Sequence, residues 1–362
     1  MTITKIKRFV YDAIIIAIIT SCLAEIAFRL CYPYLPEKIA IIAEEAKHIT
    51  YTNTRLHTIQ NLNIRGIILP PYQQKDLAFV GDSFVFGHYV PQDSSFVSII
   101  TQKTPHSVVN LGISGTHTYQ YNRMSVVSLN YRPKHLFYCI YAGNDFGWKD
   151  MDTTQQLSAQ DKDVYLPKDA FLKAQDLTWQ LRLNYYWKKL SNYSLLCQVL
   201  KLLSNQHHTV QVPIFFTKDL HNHQFSLVSK DHYRKTFNWQ DDRVQQKFRV
   251  VLNRVRKVDE LAKANGMQAH FVLIPFKEMI YGDFVPEKEQ VTDSNFQAYL
   301  QRLEEAIKKS NIDCYNTTTD LYEKAKQGEK LFFTFDGHFN ERGNVVMAEL
   351  LMKRFNLDKP LK

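Results

Sequence analysis

The stretch FVGDSFVFG, Phe79 to Gly87, ends the apolar run LAFV (77–80) with a glycine, an aspartate and a serine. A buried strand that stops on Gly-Asp-Ser presents the serine hydroxyl at the strand's carboxyl end, where open parallel sheets bind their ligands. Four more apolar runs of strand length follow: SVVNLGI (107–113), HLFYCIYA (135–142), AHFVLIPF (269–276) and IDCYN (312–316). They alternate with stretches of helical spacing. DSSFVSIITQKT (93–104) is expected to be a helix capped by Asp93, and DDRVQQKFRVVLNRVRKVDELAKANG (241–266) one that ends on Gly266. Near-continuous apolar strands separated by helices predict an α/β domain with a central parallel sheet.

Three further stretches at strand ends join the serine. NLGISG (110–115) carries Gly115, YAGND (141–145) carries Asn144, and FDGHFNERG (335–343) carries Asp336 and His338 just before the helical pattern NVVMAELLMKRF. A serine alcohol becomes a good nucleophile when a histidine takes its proton, and a carboxylate orients that histidine. The resulting oxyanion needs preorganised donors, and backbone N–H groups at Ser83 and Gly115 with the Asn144 amide form such a set. Gly112 and Asp145, beside two of these residues, are read as structural.

These four stretches, in this order, resemble the SGNH hydrolases, also called GDSL-like esterases. The resemblance covers roughly residues 77–150 and 240–356. It implies a three-layer α/β/α sandwich of flavodoxin-like type, with Ser83 as nucleophile, His338 as general base, an oxyanion hole of Ser83, Gly115 and Asn144, and neither cofactor nor metal. The family's acid usually stands three residues before the histidine. Here that residue is Phe335, and the carboxylate, Asp336, is two before. Asp336 is taken as the orienting acid on the expectation that residues two apart on an extended segment face the same side; a Ser83–His338 dyad is the alternative.

The start of the chain carries a different signal. Lys5, Lys7 and Arg8 precede FVYDAIIIAIITSCLAEIAF (9–28), an apolar span long enough for a bilayer, with Asp12 and Glu25 toward its ends. An uncleaved signal anchor with a cytoplasmic N-terminus and an extracytoplasmic remainder is the leading reading; a cleaved signal peptide, a lipoprotein signal ending at Cys22 and a core helix compete with it. The expected organisation is an anchor over 1–34, a stalk and lead-in over 35–75 containing the helical piece EKIAIIAEEAK (37–47), and the hydrolase-like domain over 76–362. Within the last, about 149–240 reads as a cap-like insertion without strand-helix rhythm, including the aromatic and basic stripe LTWQLRLNYYWKKL (177–190) and the amphipathic NYSLLCQVLKLLSN (192–205).

The formal charge is +9, yet Lys and Arg form no long run, so attraction to anionic surfaces fits better than nucleic-acid binding. Five cysteines without paired spacing argue against a disulfide framework. His207, His208, His221 and His223 match no zinc spacing and are read as solvated loop residues. The function expected is removal of an acyl group, such as acetyl, from an envelope glycan or lipid. Transfer of the acyl group to a sugar hydroxyl is the rival, and non-catalytic glycan binding the third reading.

Overall fold

The computed structural model describes residues 3–36, 39–45, 73–146, 194–197, 199–200 and 213–359. The runs singled out above form five strands, β1 (Leu77–Val80), β2 (Val108–Asn110), β3 (His135–Tyr141), β6 (Gln268–Ile274) and β7 (Asp313–Asn316). All pairings among them are parallel, in the order β2-β1-β3-β6-β7. The chain runs outward from β1 to β2 and returns to β3 on the other side of β1. The carboxyl ends of β1 and β3 therefore flank the topological switch point, where this class of sheet opens a crevice.

Alternation along the strands explains the two helical layers. Phe79 and Phe137 stack on one face, with Phe96 of α3 (Phe96–Lys103) and Phe355 of α11 (Glu341–Phe355) against them edge-on. Tyr138, one residue on, points to the other face, against Tyr121 of α4 (Thr118–Ser128). There α4 packs on α6 (Asp242–Ala264), and α6 on α9 (Ser294–Lys309). The result is the expected α/β/α sandwich.

Helix boundaries follow from caps. The side chain of Asp241 accepts from Arg243 N–H to start α6, and Gly266, at φ +69°, follows its end. The cap of α3 differs from expectation. Residues 92–94 form a 3₁₀ turn, and Ser95, not Asp93, accepts from Ser98 N–H at 3.2 Å. Both residue types cap well, and the serine is the one adjacent to the first helical residue.

The insertion contains structure that periodicity did not reveal. An antiparallel hairpin, β4 (Ile214–Lys218) and β5 (Gln224–Val228), is followed by helix α5 (Lys230–Phe237). His221 and His223 sit in its turn, where His223 Nδ1 pairs with Asp219 at 3.1 Å and His221 Nε2 donates to Lys326 O at 3.1 Å. Both are loop residues, His221 exposed and His223 half-buried; His207 and His208, and the stripe 177–190, lie outside the described residues. No cluster of three or more metal-ligating side chains occurs among the described residues.

Helix α1 (Ile3–Cys31) has 29 residues, so it is about 43 Å long against a hydrocarbon core of about 30 Å. The stretch Tyr11–Tyr34, made of most of α1 and the 3₁₀ turn after it, is apolar and long enough to cross a membrane. Glu25 does not stand bare on it. It pairs with Arg29 at 2.6 Å and accepts from Ser194 Oγ at 2.7 Å and from Leu195 N–H at 2.8 Å, capping the start of the helical residues 195–197. A second small core joins Tyr32, Ile42, Ala43, Leu195 and Val199.

Candidate active site

Ser83 opens the short helix α2 (Ser83–Phe86) directly after the β1 turn, and both neighbouring glycines have a physical reason. A Cβ on Gly81 would lie 2.4 Å from Val85 and 3.0 Å from the carbonyl of Cys139, so only glycine lets the turn pack against β3. Gly87, at φ +80°, ends the helix in the left-handed region. Asp82 starts it, accepting from Phe84 N–H at 2.9 Å.

His338 reaches this point from 255 residues away. Its Nε2 accepts from Ser83 Oγ at 2.7 Å, and its Nδ1–H donates to Asp336 Oδ1. The same carboxylate oxygen accepts from the backbone N–H of His338 at 2.8 Å. The loop is therefore not extended, as the sequence reading supposed. It bends through 334–338 between an isolated bridge of Phe332 with Phe339, and Asp336 closes an Asx turn onto His338. Spacing of two works because the turn, rather than strand alternation, brings the carboxylate to the ring. Phe335 points elsewhere, stacking on Phe216 at 5.4 Å between ring centroids.

The charges of this chain of hydrogen bonds are tuned by burial and by one another. Burial alone would raise the Asp336 carboxyl, but the charge of His338 and its two hydrogen bonds outweigh it and hold the carboxyl at about 2. For His338, burial disfavours the imidazolium, and Asp336 followed by Asp82 more than reverses this, so its pKa lies above the ordinary 6.5. Asp82 is pushed up to about 6 by burial, with the hydrogen bond from Phe84 acting the other way.

The residues expected to supply oxyanion donors besides Ser83 follow β2 and β3. The loop after β2 is tied to the end of β1 by Leu111 N–H donating to Phe79 O at 2.8 Å and Ile113 N–H to Gly81 O at 3.0 Å. Two residues on, Gly115 is at φ +77° with open space where a side chain would be, whereas a Cβ on Gly112 would strike the backbone of Phe86 at 2.5 Å. Asn144 follows β3; its Nδ2 lies 3.4 Å from Asp82 Oδ2, and its Oδ1 is buried without a hydrogen-bond partner. Its neighbour Asp145 is fully engaged, taking Tyr121 Oη–H at 2.9 Å and Tyr141 N–H at 2.7 Å.

A match to a known domain family agrees with this geometry. Residues 233–361, which hold Asp336 and His338, match the family described as SGNH hydrolase-like domain, acetyltransferase AlgX. This C-terminal part of the chain is similar to the SGNH hydrolase-like domain. No curated protein sequence matches it. Solved structures similar to this chain include a lipolytic protein of the G-D-S-L family from Veillonella parvula, at 14% identity, covering 78% of this chain and 98% of that one with a TM-score of 0.38. A catalytic mutant of an acetylxylan esterase from Geobacillus stearothermophilus is similar at 11% identity, covering 80% and 98% with a TM-score of 0.39.

Several residues of this candidate site are not singled out by the sequence. Three rings box the imidazole of His338: Phe84 at 5.1 Å, His88 at 5.0 Å and Tyr89 at 5.4 Å between centroids. Tyr89 has φ +66°, a costly conformation for a tyrosine and a mark of local strain beside the histidine. Beneath the loop, buried Lys277 donates from Nζ to the carbonyls of Phe333, Thr334 and Asp336 at 3.2, 3.0 and 3.1 Å. A lysine directly after the apolar strand AHFVLIPF was the available signal for it. From the other side Glu45 accepts from Thr334 N–H and, at 2.8 Å, from Phe335 N–H. Nothing in the sequence around Glu45 announced that contact.

Proposed function

We propose that this protein is an exported, membrane-anchored serine esterase that removes an O-acyl group, such as acetyl, from an envelope glycan or lipid. The observation that carries this reading is the continuous hydrogen-bonded path from Ser83 Oγ through His338 to Asp336. In this reading residues 76–362 form the catalytic domain and α1 anchors it, with the N-terminus cytoplasmic because Lys5, Lys7 and Arg8 precede the span.

The steps follow from the groups in place. Ser83 Oγ attacks the ester carbonyl carbon while its proton passes to His338 Nε2, and Asp336 stabilises the imidazolium that forms. The oxyanion is held by Ser83 N–H, Gly115 N–H and the Asn144 amide, each such donor contributing about 3 kcal/mol. Collapse breaks the bond to the alcohol, which leaves with the proton from His338, and acyl-Ser83 remains. Water then gives a proton to His338, attacks the acyl carbon and releases the acid.

A second reading replaces that water with a sugar hydroxyl, so that the acyl group is transferred. The description of the matched family as an acetyltransferase favours keeping it. Exclusion of water from acyl-Ser83 separates the two outcomes. The test supplies p-nitrophenyl acetate with and without oligosaccharide acceptors and follows both free acetate and acetylated sugar. Acetate release indifferent to acceptor supports the esterase, and acetylated sugar formed at the expense of acetate supports transfer.

A further inference from the structure

Glu45 belongs to the stretch between the apolar span and the sheet domain, yet it ends against the loop that carries Asp336 and His338. Residues 39–45 are helical, and within them Ile42 and Ala43 are fully buried in a small core to which Phe335 also packs. From that helical stretch the two carboxylate oxygens of Glu45 take two consecutive backbone donors. Oε1 accepts from Thr334 N–H and Oε2 from Phe335 N–H at 2.8 Å. The residue is only 8% exposed, so water cannot readily replace it.

Thr334 is fully buried, and the loop has no regular ladder to satisfy its donors. Without Glu45 these two N–H groups are left with no acceptor, a situation folded chains avoid by rearranging the backbone. Rearrangement at 334–335 displaces the very next residue, Asp336. The loop is thus held from three sides: by Lys277 on its carbonyls, by Phe216 on the Phe335 ring, and by Glu45 on its N–H groups.

We propose that Glu45 is a positioning residue of the active site, through which the membrane-proximal helical segment fixes the Asp336–His338 turn against Ser83. The inference rests on the serine-esterase reading above. It makes the lead-in a working part of the enzyme rather than a passive tether. Glu45 does not reach Ser83 or the ester, so its loss acts on the step in which His338 takes the Ser83 proton and leaves substrate binding alone.

The experiment compares full-length Glu45→Gln and Glu45→Ala with wild type, using p-nitrophenyl acetate turnover and the rate of fluorophosphonate labelling. Glutamine keeps one acceptor but turns an NH₂ toward the second donor, so both variants lose at least one bond. The expected result is a fall in kcat of about tenfold or more with KM within about threefold, and labelling slowed in proportion. Glu44→Gln, whose carboxylate takes Tyr32 Oη–H at 2.6 Å instead, serves as the control and stays at wild-type turnover. A folded Glu45→Gln with kcat within about threefold of wild type, or with KM alone raised, overturns the proposal. If neither variant folds, hydrogen exchange on the wild-type chain decides: protected Thr334 and Phe335 amides support the contact, and fast exchange at both refutes it. Failure of the underlying esterase reading is distinguishable, because it shows as unchanged turnover in Ser83→Ala.

Discussion

Asp336 holds His338 twice through one oxygen, once at the ring Nδ1–H and once at the backbone N–H, the latter at 2.8 Å. The second bond fixes where the residue sits and the first fixes how its ring turns. Together they present Nε2 to Ser83 Oγ at 2.7 Å.

This arrangement makes the Asp336→Asn variant informative. An amide there cannot stabilise the imidazolium and can present its own N–H to the ring, favouring the wrong tautomer. Turnover is expected to fall by much more than about tenfold, or above about 1.4 kcal/mol in the barrier, with the melting temperature unchanged. A loss smaller than that leaves Ser83 and His338 as a dyad and removes Asp336 from the chemistry.

Ser83→Ala and His338→Ala are each expected to lower ester turnover by about three orders of magnitude or more, and the double variant little further. The two residues act in one step, so losing either abolishes it. Steady-state rates with far-ultraviolet circular dichroism on each variant check this. Additive losses in the double variant speak against a shared step.

The pH profile has a definite sign. His338 must be neutral to accept a proton, and its pKa is raised above 6.5, so kcat/KM falls as pH is lowered through a midpoint above 6.5. Asp336 stays ionised down to about 2 and adds no second limb in the working range. Asp82 contributes to holding His338 up, so Asp82→Asn is expected to move the limb to lower pH. Stability follows the same pair. The raised histidine stabilises the fold below about 6.5 and loses this as pH rises through its folded value; the lowered aspartate stabilises above about 3.8 and loses this as pH falls toward 2. The pair therefore helps most between these limits, and the His338→Ala variant should lose its largest share of melting temperature there.

The sheet was legible because its strands are apolar on both faces, and buried runs such as HLFYCIYA leave little room for another reading. Ser83 and His338, which the structure brings together, were legible because one stands at a strand end and the other before a helix. What escaped depends on contacts between distant segments. Spacing alone suggested that Asp336 could face the histidine, but the Asx turn that accomplishes it depends on Lys277 and Glu45 pinning the loop from other elements. The hairpin β4–β5 was hidden because its outer strand is largely exposed and carries no clean alternation of apolar and polar residues. Ser95 displaced Asp93 as the cap of α3 through a local 3₁₀ turn that a one-residue pattern cannot resolve.

Location gives an independent expectation. With α1 uncleaved, the chain partitions with membranes and resists high-salt and carbonate washes, and a reporter placed after Lys362 is active only outside the cytoplasm. Recovery of the full-length chain from the soluble cytoplasmic fraction contradicts the anchor.

Ser83 is expected to become acylated, and peptide mass spectrometry of the enzyme quenched during turnover of p-nitrophenyl acetate reads this directly. One added acetyl group is expected on the peptide containing Ser83, formed faster than it decays in wild type and absent from Ser83→Ala and His338→Ala. Turnover with no acetyl on that peptide, or with the acetyl on another residue, contradicts it.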